Sequence, residues 1–189
     1  MEHVVILGNG IAGITAARHI RKNSDKRITI ISAEADYFFS RTALMYVYMG
    51  HMRWQDIEPY EDWFWQKNRL ELKKGWVEKV DVGQKQLIFA QGEKFSYDTL
   101  IIASGSLTAK YNWPGQDLNG VQGLVTKQDL ELLEKNAPSN KTCKHAVIIG
   151  GGLIGVELAE MLHTREIPVT MLVREEGFWS SVCPWAKLQ

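Results

Sequence analysis

The chain has 189 residues, 45% hydrophobic and 23% charged, a globular balance with enough apolar residues for a core. Lysine plus arginine and aspartate plus glutamate each number 22, so the formal net charge is zero and no nucleic-acid partner or acidic tail is expected. The start, Met1-Glu2-His3, lacks a basic n-region, and the apolar run behind it is too short for a signal peptide or a membrane span. A cytoplasmic protein without a membrane partner is expected.

Residues 3–8 read as a strand. They run into Gly8-Asn9-Gly10-Ile11-Ala12-Gly13, a G-x-G-x-x-G fingerprint. A helix follows over 11–22, with Ile11, Ile14, Ala17 and Ile20 on one face. Arg27–Ile31 reads as a second strand, ending near Ser32-Ala33-Glu34. Together these make one βαβ unit of about 30 residues. In such a unit Gly8 permits the tight turn, Gly10 lets the backbone approach a pyrophosphate, and Gly13 allows close helix–strand packing. An acidic residue about 20 positions on holds a ribose hydroxyl, and Glu34 is the nearest candidate.

The stretch 53–68 carries Trp54, Tyr60, Trp63, Phe64 and Trp65. It reads as a helix packing an aromatic face, with Pro59 in its first turn. Residues 76–103 read as short strands broken at Gly83-Gln84 and Gln91-Gly92. Tyr97–Ala103 is an apolar strand entering the small-residue turn Ser104-Gly105. A connector follows, with turns at Pro114-Gly115 and Asn119-Gly120. Thr126 and Asp129 resemble a capping box that opens a helix to about Lys135.

A second βαβ unit begins at about residue 145. The strand Ala146–Ile149 leads into Gly150-Gly151-Gly152-Leu153-Ile154-Gly155, then a helix with Val156, Leu158 and Met161, then the strand Val169–Val173. Each fingerprint has the strand–turn–helix context that the motif requires. Phosphates are expected at both helix N-termini, where unpaired N–H groups and the macrodipole favour negative charge. The second unit ends on Val173-Arg174-Glu175-Glu176. Arg174 suits the 2′-phosphate of NADP and a glutamate suits the ribose of NAD, with the local charge leaning to NADH. Cys143 and Cys183 form no C-x-x-C pair and read as plain thiols. The histidines show no metal-ligand spacing: His3 and His51 are isolated, and His145 and His163 flank the second fingerprint at no useful interval. No metal is expected.

In this order, Gly8–Gly13, Glu34, Ser40-Arg41-Thr42-Ala43-Leu44, Tyr97-Asp98 to Gly105, and Gly150–Gly155 with Glu157, the chain resembles the N-terminal part of the FAD-dependent pyridine nucleotide-disulfide oxidoreductase superfamily. The resemblance spans essentially all 189 residues. It implies an α/β, Rossmann-like FAD/NAD(P)-binding fold: two βαβ dinucleotide units with a small antiparallel β insertion, the second unit incomplete. It implies an FAD-binding domain over 1–115, a connector with a short helix over 116–144, and the start of an NAD(P)-binding domain over 145–189. FAD would sit at the first fingerprint and NADH or NADPH at the second, with hydride passing to the flavin. By the same resemblance Ala103, Ser104 and Gly105 pack near FAD, Arg41 lies along the flavin, the Val77 backbone meets the adenine, and Glu157 lies toward the nicotinamide.

Disulfide reductases of this superfamily carry a C-x4-C pair soon after the second strand, and NADH peroxidases carry one cysteine there. This chain has no cysteine before Cys143, so a thiolate-based half-reaction lacks its nucleophile. It resembles the cysteine-free branch of rubredoxin, ferredoxin and nitrite reductases. The lysine that some of these place near the flavin would fall at about Tyr46. The implied acceptor is a small redox protein or a small molecule, and a homodimer belongs to a full-length parent. The alternative is a truncated nucleotide-binding fragment with no turnover of its own. Two unrelated NAD-binding units are disfavoured by the Tyr97–Gly105 turn.

Overall fold

The computed structural model describes residues 1–174. The chain divides into two compact units: Met1–Arg41 with Trp54–Leu107, and Thr42–Arg53 with the chain from Thr108 onward.

The first unit is built on a four-stranded parallel sheet. Its strands are β1 (His3–Leu7), β2 (Arg27–Ser32), β3 (Leu70–Lys74) and β7 (Thr99–Ile102), in the order β3-β2-β1-β7. Helix α1 (Ile11–Asn23) joins β1 to β2. Between β3 and β7 runs an antiparallel meander of β4 (Val77–Asp81), β5 (Gln86–Phe89) and β6 (Lys94–Ser96). Alternation along the strands supplies two cores. Val4, Ile6, Ile28 and Ile30 pack with Ile14 and Ala17 of α1, while Val5 and Ile31 pack with Leu87, Phe89 and Tyr97. A parallel strand covered on both faces reads as a continuous apolar run, which is why Val4-Val5-Ile6-Leu7 shows no polar alternation.

Two local expectations change. Residues 53–68 do not form one helix. Trp54–Ile57 is a 3₁₀ turn, and the α-helix α3 (Asp62–Lys67) starts later, with extended backbone at its cap Glu61. Pro59 therefore precedes the helix instead of entering its first turn. The aromatic face is real: Tyr60 stacks on Phe64 at 4.1 Å, and Tyr37 stacks on Trp65 at 5.9 Å. Behind it lies β3, a strand not anticipated. Leu70-Glu71-Leu72-Lys73-Lys74 is mostly polar because it is an edge strand, paired only to β2.

The second unit holds α2 (Leu44–Tyr48), α4 (Lys127–Asn136) and a βαβ element of β8 (Ala146–Ile149), α5 (Leu153–His163) and β9 (Val169–Leu172). The capping box is present. Asp129 N–H donates to Thr126 Oγ1 at 3.0 Å, and Thr126 N–H donates to the Asp129 carboxylate at 2.8 Å. Tyr48 is fully buried, with its hydroxyl donating to Ala137 O at 2.5 Å. Its ring lies under the Arg165 guanidinium at 3.8 Å, and Arg165 also grips Glu134 at 2.6 Å. These contacts place the segment 42–53 and the stretch 116–144 in one unit with the second fingerprint. The first unit ends at Leu107. Among the described residues, no helix is long and apolar enough to cross a membrane.

Candidate functional site

The two glycine turns are the same structure built twice. Gly8 and Gly150 carry φ of +116° and +115°, which L side chains rarely adopt. Gly8 N–H donates to Ile31 O at 2.8 Å, and Gly150 N–H to Leu172 O at 2.9 Å. Each turn is thus tied to the end of the neighbouring strand. The helix caps Gly10 and Gly152 share extended backbone (φ −70° and −79°). A Cβ on Gly13 would lie 2.0 Å from Gly8 O, and one on Gly155 would lie 2.2 Å from Gly150 O. At Gly10 and Gly152 a Cβ would meet no protein atom within 4 Å. These two positions face open space that a phosphate can enter. The first-turn amides of Ile11 and Ala12, and of Leu153 and Ile154, have no intrahelical partners and sit at the positive ends of α1 and α5. All four of these residues are exposed. The residues present therefore fit a dinucleotide at each turn.

The duplication extends beyond the glycines. His3 and His145 stand five residues before the first glycine of each fingerprint. Their Nε2 atoms lie 2.8 Å from the hydroxyls of Thr29 and Thr170, which occupy matching places in β2 and β9. His3 thus links β1 to β2, and His145, one residue before β8, links the start of that strand to β9. Burial, and then the Arg27 charge, lower the His3 pKa.

Around the first turn, several of the expected residues come together. Ala103 N–H donates to Leu7 O at 2.8 Å, and a Cβ on Gly8 would lie 2.1 Å from Ala103 O. The Ala103-Ser104-Gly105 turn is therefore packed against the fingerprint, and Gly105 takes φ +75°. Glu34 lies beyond the end of β2, and Arg41 meets it in a two-pronged ion pair with contacts of 2.6 and 2.9 Å. The guanidinium also lies 5.1 Å from the Phe39 ring. Val77 opens β4, and Gly75 N–H donates to Ser32 O at 3.0 Å, which brings the start of the meander to the end of β2. In the second unit Glu157 is half-buried on α5, and Arg174 is exposed just past β9. Glu175, Glu176 and Cys183 lie outside the described residues.

One residue of the site was not anticipated. Asn9 is 6% exposed, and its amide donates to Ala35 O at 3.0 Å and Tyr37 O at 3.2 Å. It staples the glycine turn to the loop that carries Glu34. A cavity of about 320 Å³ opens beside it, lined by Ser32, Asp36, Tyr37 and Lys74 among others. The available signal was a large polar side chain inside an otherwise small or apolar fingerprint, where the second repeat has Gly151.

The family model for pyridine nucleotide-disulphide oxidoreductases matches residues 2–184. The chain belongs to this family. It is 32% identical over 173 residues to the ferredoxin–NAD(+) reductase subunit of a benzene 1,2-dioxygenase system from Pseudomonas putida, covering 90% of this chain and 42% of that protein. It is 32% identical over 175 residues to a nitrite reductase [NAD(P)H] of Bacillus subtilis, covering 90% of this chain and 21% of that one. Among solved structures, NADH:rubredoxin oxidoreductase from Clostridium acetobutylicum aligns with a TM-score of 0.80 at 29% identity, over 93% of this chain and 45% of its own. The chain spans less than half the length of these relatives. Its fold is the α/β dinucleotide-binding fold of the family, with the small antiparallel sheet inserted.

Proposed function

We propose that this chain forms the FAD-binding part and the start of the nicotinamide-binding part of a cytoplasmic flavoprotein NAD(P)H oxidoreductase. The observation that carries the proposal is the open space at Gly10 and Gly152, each at a helix N-terminus and each held by an identical glycine turn. FAD belongs at the first turn. Gly8, Gly10, Ile11, Ala12 and Gly13 frame its pyrophosphate, and Glu34 takes a ribose hydroxyl. Arg41, held by Glu34, supplies positive charge nearby. Val77 and the turn Ala103-Ser104-Gly105 close the remaining sides. NADH or NADPH belongs at Gly150, Gly152, Leu153, Ile154 and Gly155, with Glu157 on the nicotinamide side and Arg174 near the adenosine ribose.

When bound, FAD supplies hydride acceptance from the nicotinamide and release of electrons to an acceptor. The chain's own contribution is to bind and orient. Its backbone amides meet phosphate charge, and its apolar strand ends exclude water from one side of the ligand. No cysteine precedes Cys143, so electrons leave without thiol chemistry. A ferredoxin- or rubredoxin-type protein is the acceptor best supported by the relatives' names.

A second reading, a nucleotide-binding piece without turnover of its own, is favoured by one observation. One face of the two-stranded sheet β8–β9 leaves Val147, Ile149 and Leu172 more than half exposed. The test is anaerobic. The chain is incubated with FAD, freed of excess by desalting, and mixed with NADH or NADPH. Retained flavin that is bleached by the nicotinamide supports turnover. Retained flavin that stays oxidised supports the second reading, and no retained flavin contradicts both.

A further inference from the structure

The chain as a whole is neutral, yet one hollow of the first unit gathers five cations. Arg18, Arg21, Lys22, Lys67 and Arg69 line a cavity of about 580 Å³ with no carboxylate in its wall. It lies at the far end of α1 from the glycine turn, along roughly 16 Å of helix, so a phosphate held at Gly10 does not reach it. The need of a helix C-terminus for positive charge accounts for Arg21. Its guanidinium is spent on the carbonyls of Ser24, Lys26, Asn68 and Arg69 at 2.7–3.1 Å. Arg69 has a partner, Asp25 at 2.6 Å.

Lys22 and Lys67 also stand in the last turns of their helices, α1 and α3, and Arg18 lies one turn before Lys22. Among the described residues, no carboxylate pairs with Arg18, Lys22 or Lys67. Two of them are instead positioned by aromatic rings. Arg18 donates to Tyr60 Oη at 3.1 Å and stands over that ring, and Lys67 Nζ lies 4.8 Å from the Trp63 centroid. Like charges so arranged repel one another across the hollow. An anion with two or more charges relieves that repulsion.

We propose that this hollow is a binding site for a small, multiply charged phosphate anion, separate from both dinucleotide turns. Arg18, Lys22 and Lys67 supply the charge-assisted contacts. Arg21 and Arg69 shape the wall from fixed positions.

The test follows the backbone amide resonances of the full 189-residue chain as inorganic pyrophosphate is added, against sodium chloride at matched ionic strength. The expected result is a saturable shift at Lys22, Asn68 and Arg69 that chloride does not reproduce. The double variant Lys22→Gln, Lys67→Gln changes two exposed side chains, and it should bind at this site at least tenfold more weakly. Gly10→Val should leave the affinity there unchanged. Three results would overturn the proposal. They are shifts confined to the glycine turns, an equal response to chloride, or undiminished affinity in the double variant. The mapping on the unaltered chain decides the matter even if the double variant folds poorly.

Discussion

The carbonyl oxygen of Gly8 lies 2.0 Å from the point where a Cβ on Gly13 would stand. The exit of β1 and the first turn of α1 thus touch backbone to backbone, and this contact aims the helix N-terminus at the open space beside Gly10. Gly155 and Gly150 repeat the relationship at 2.2 Å.

This geometry separates glycines needed by the fold from glycines needed by a ligand. Gly13→Ala and Gly155→Ala force a methyl group into a carbonyl, and each should destabilise its unit by about 1–3 kcal/mol or more. Gly10→Ala meets nothing and should cost no more than about 1 kcal/mol as a lost N-cap preference. Urea denaturation checks the order. Equal losses at Gly10 and Gly13 would show that the turn is not packed as described.

Asn9→Ala removes the amide that joins the glycine turn to Ala35 and Tyr37, leaving two carbonyls without their donor. Stability should fall by about 1–3 kcal/mol. Flavin affinity should fall as well, because the loop carrying Glu34 loses its anchor. Asn9→Asp should not rescue it, since a carboxylate offers no donor to the two carbonyls.

Much of this architecture is legible in the residues. Both βαβ units are marked by apolar runs into glycine turns, and Thr126 with Asp129 marks α4. The parts that were not legible depend on tertiary partners. Leu70–Lys74 has a mostly polar strand pattern because it forms a sheet edge, and Glu71 on it is held by Arg27 and Thr29. The short helix Leu44–Tyr48 lacks the length that helical periodicity needs, and it belongs to the second unit through the grip of Arg165 on Tyr48. The pairing of Glu34 with Arg41, seven residues apart, follows from the loop's path. No spacing rule of helices or strands brings them together.

Tyr48 makes a prediction about pH. Burial pushes its phenol up to about 12 from an ordinary value of 10.0. The unfolded chain loses this proton near pH 10 while the folded chain keeps it. The contribution to stability is therefore fully present below pH 10 and is lost as pH rises toward 12. The loss is on the order of 2 kcal/mol across that window. Other groups titrate there too, so the measurement is the difference between the parent and Tyr48→Phe in urea midpoints from pH 9 to 12. A Tyr48→Phe chain that loses stability just as steeply as the parent would show that the phenol does not carry the effect.

Arg174 bears on the choice of nicotinamide. If its guanidinium meets a 2′-phosphate, Arg174→Ala should weaken NADPH binding by about 1–3 kcal/mol and leave NADH nearly unchanged. With Glu175 and Glu176 following it, the parent chain should bind NADH the more tightly. Fluorescence titration with both nucleotides reads this directly. A tenfold preference for NADPH in the parent would reverse the assignment.

The most direct test of the whole account is flavin occupancy in Gly10→Val. The backbone at Gly10 suits any L residue, and a Cβ there has no protein atom beyond its chain neighbours within 4 Å, so the variant should fold as the parent does. The valine instead fills the space assigned to the FAD pyrophosphate. Titrating both chains with FAD and following protein-bound flavin should give saturable, stoichiometric binding for the parent and at least tenfold weaker binding for a folded Gly10→Val chain. Equal flavin affinity in the two would contradict the placement of FAD at the first glycine turn.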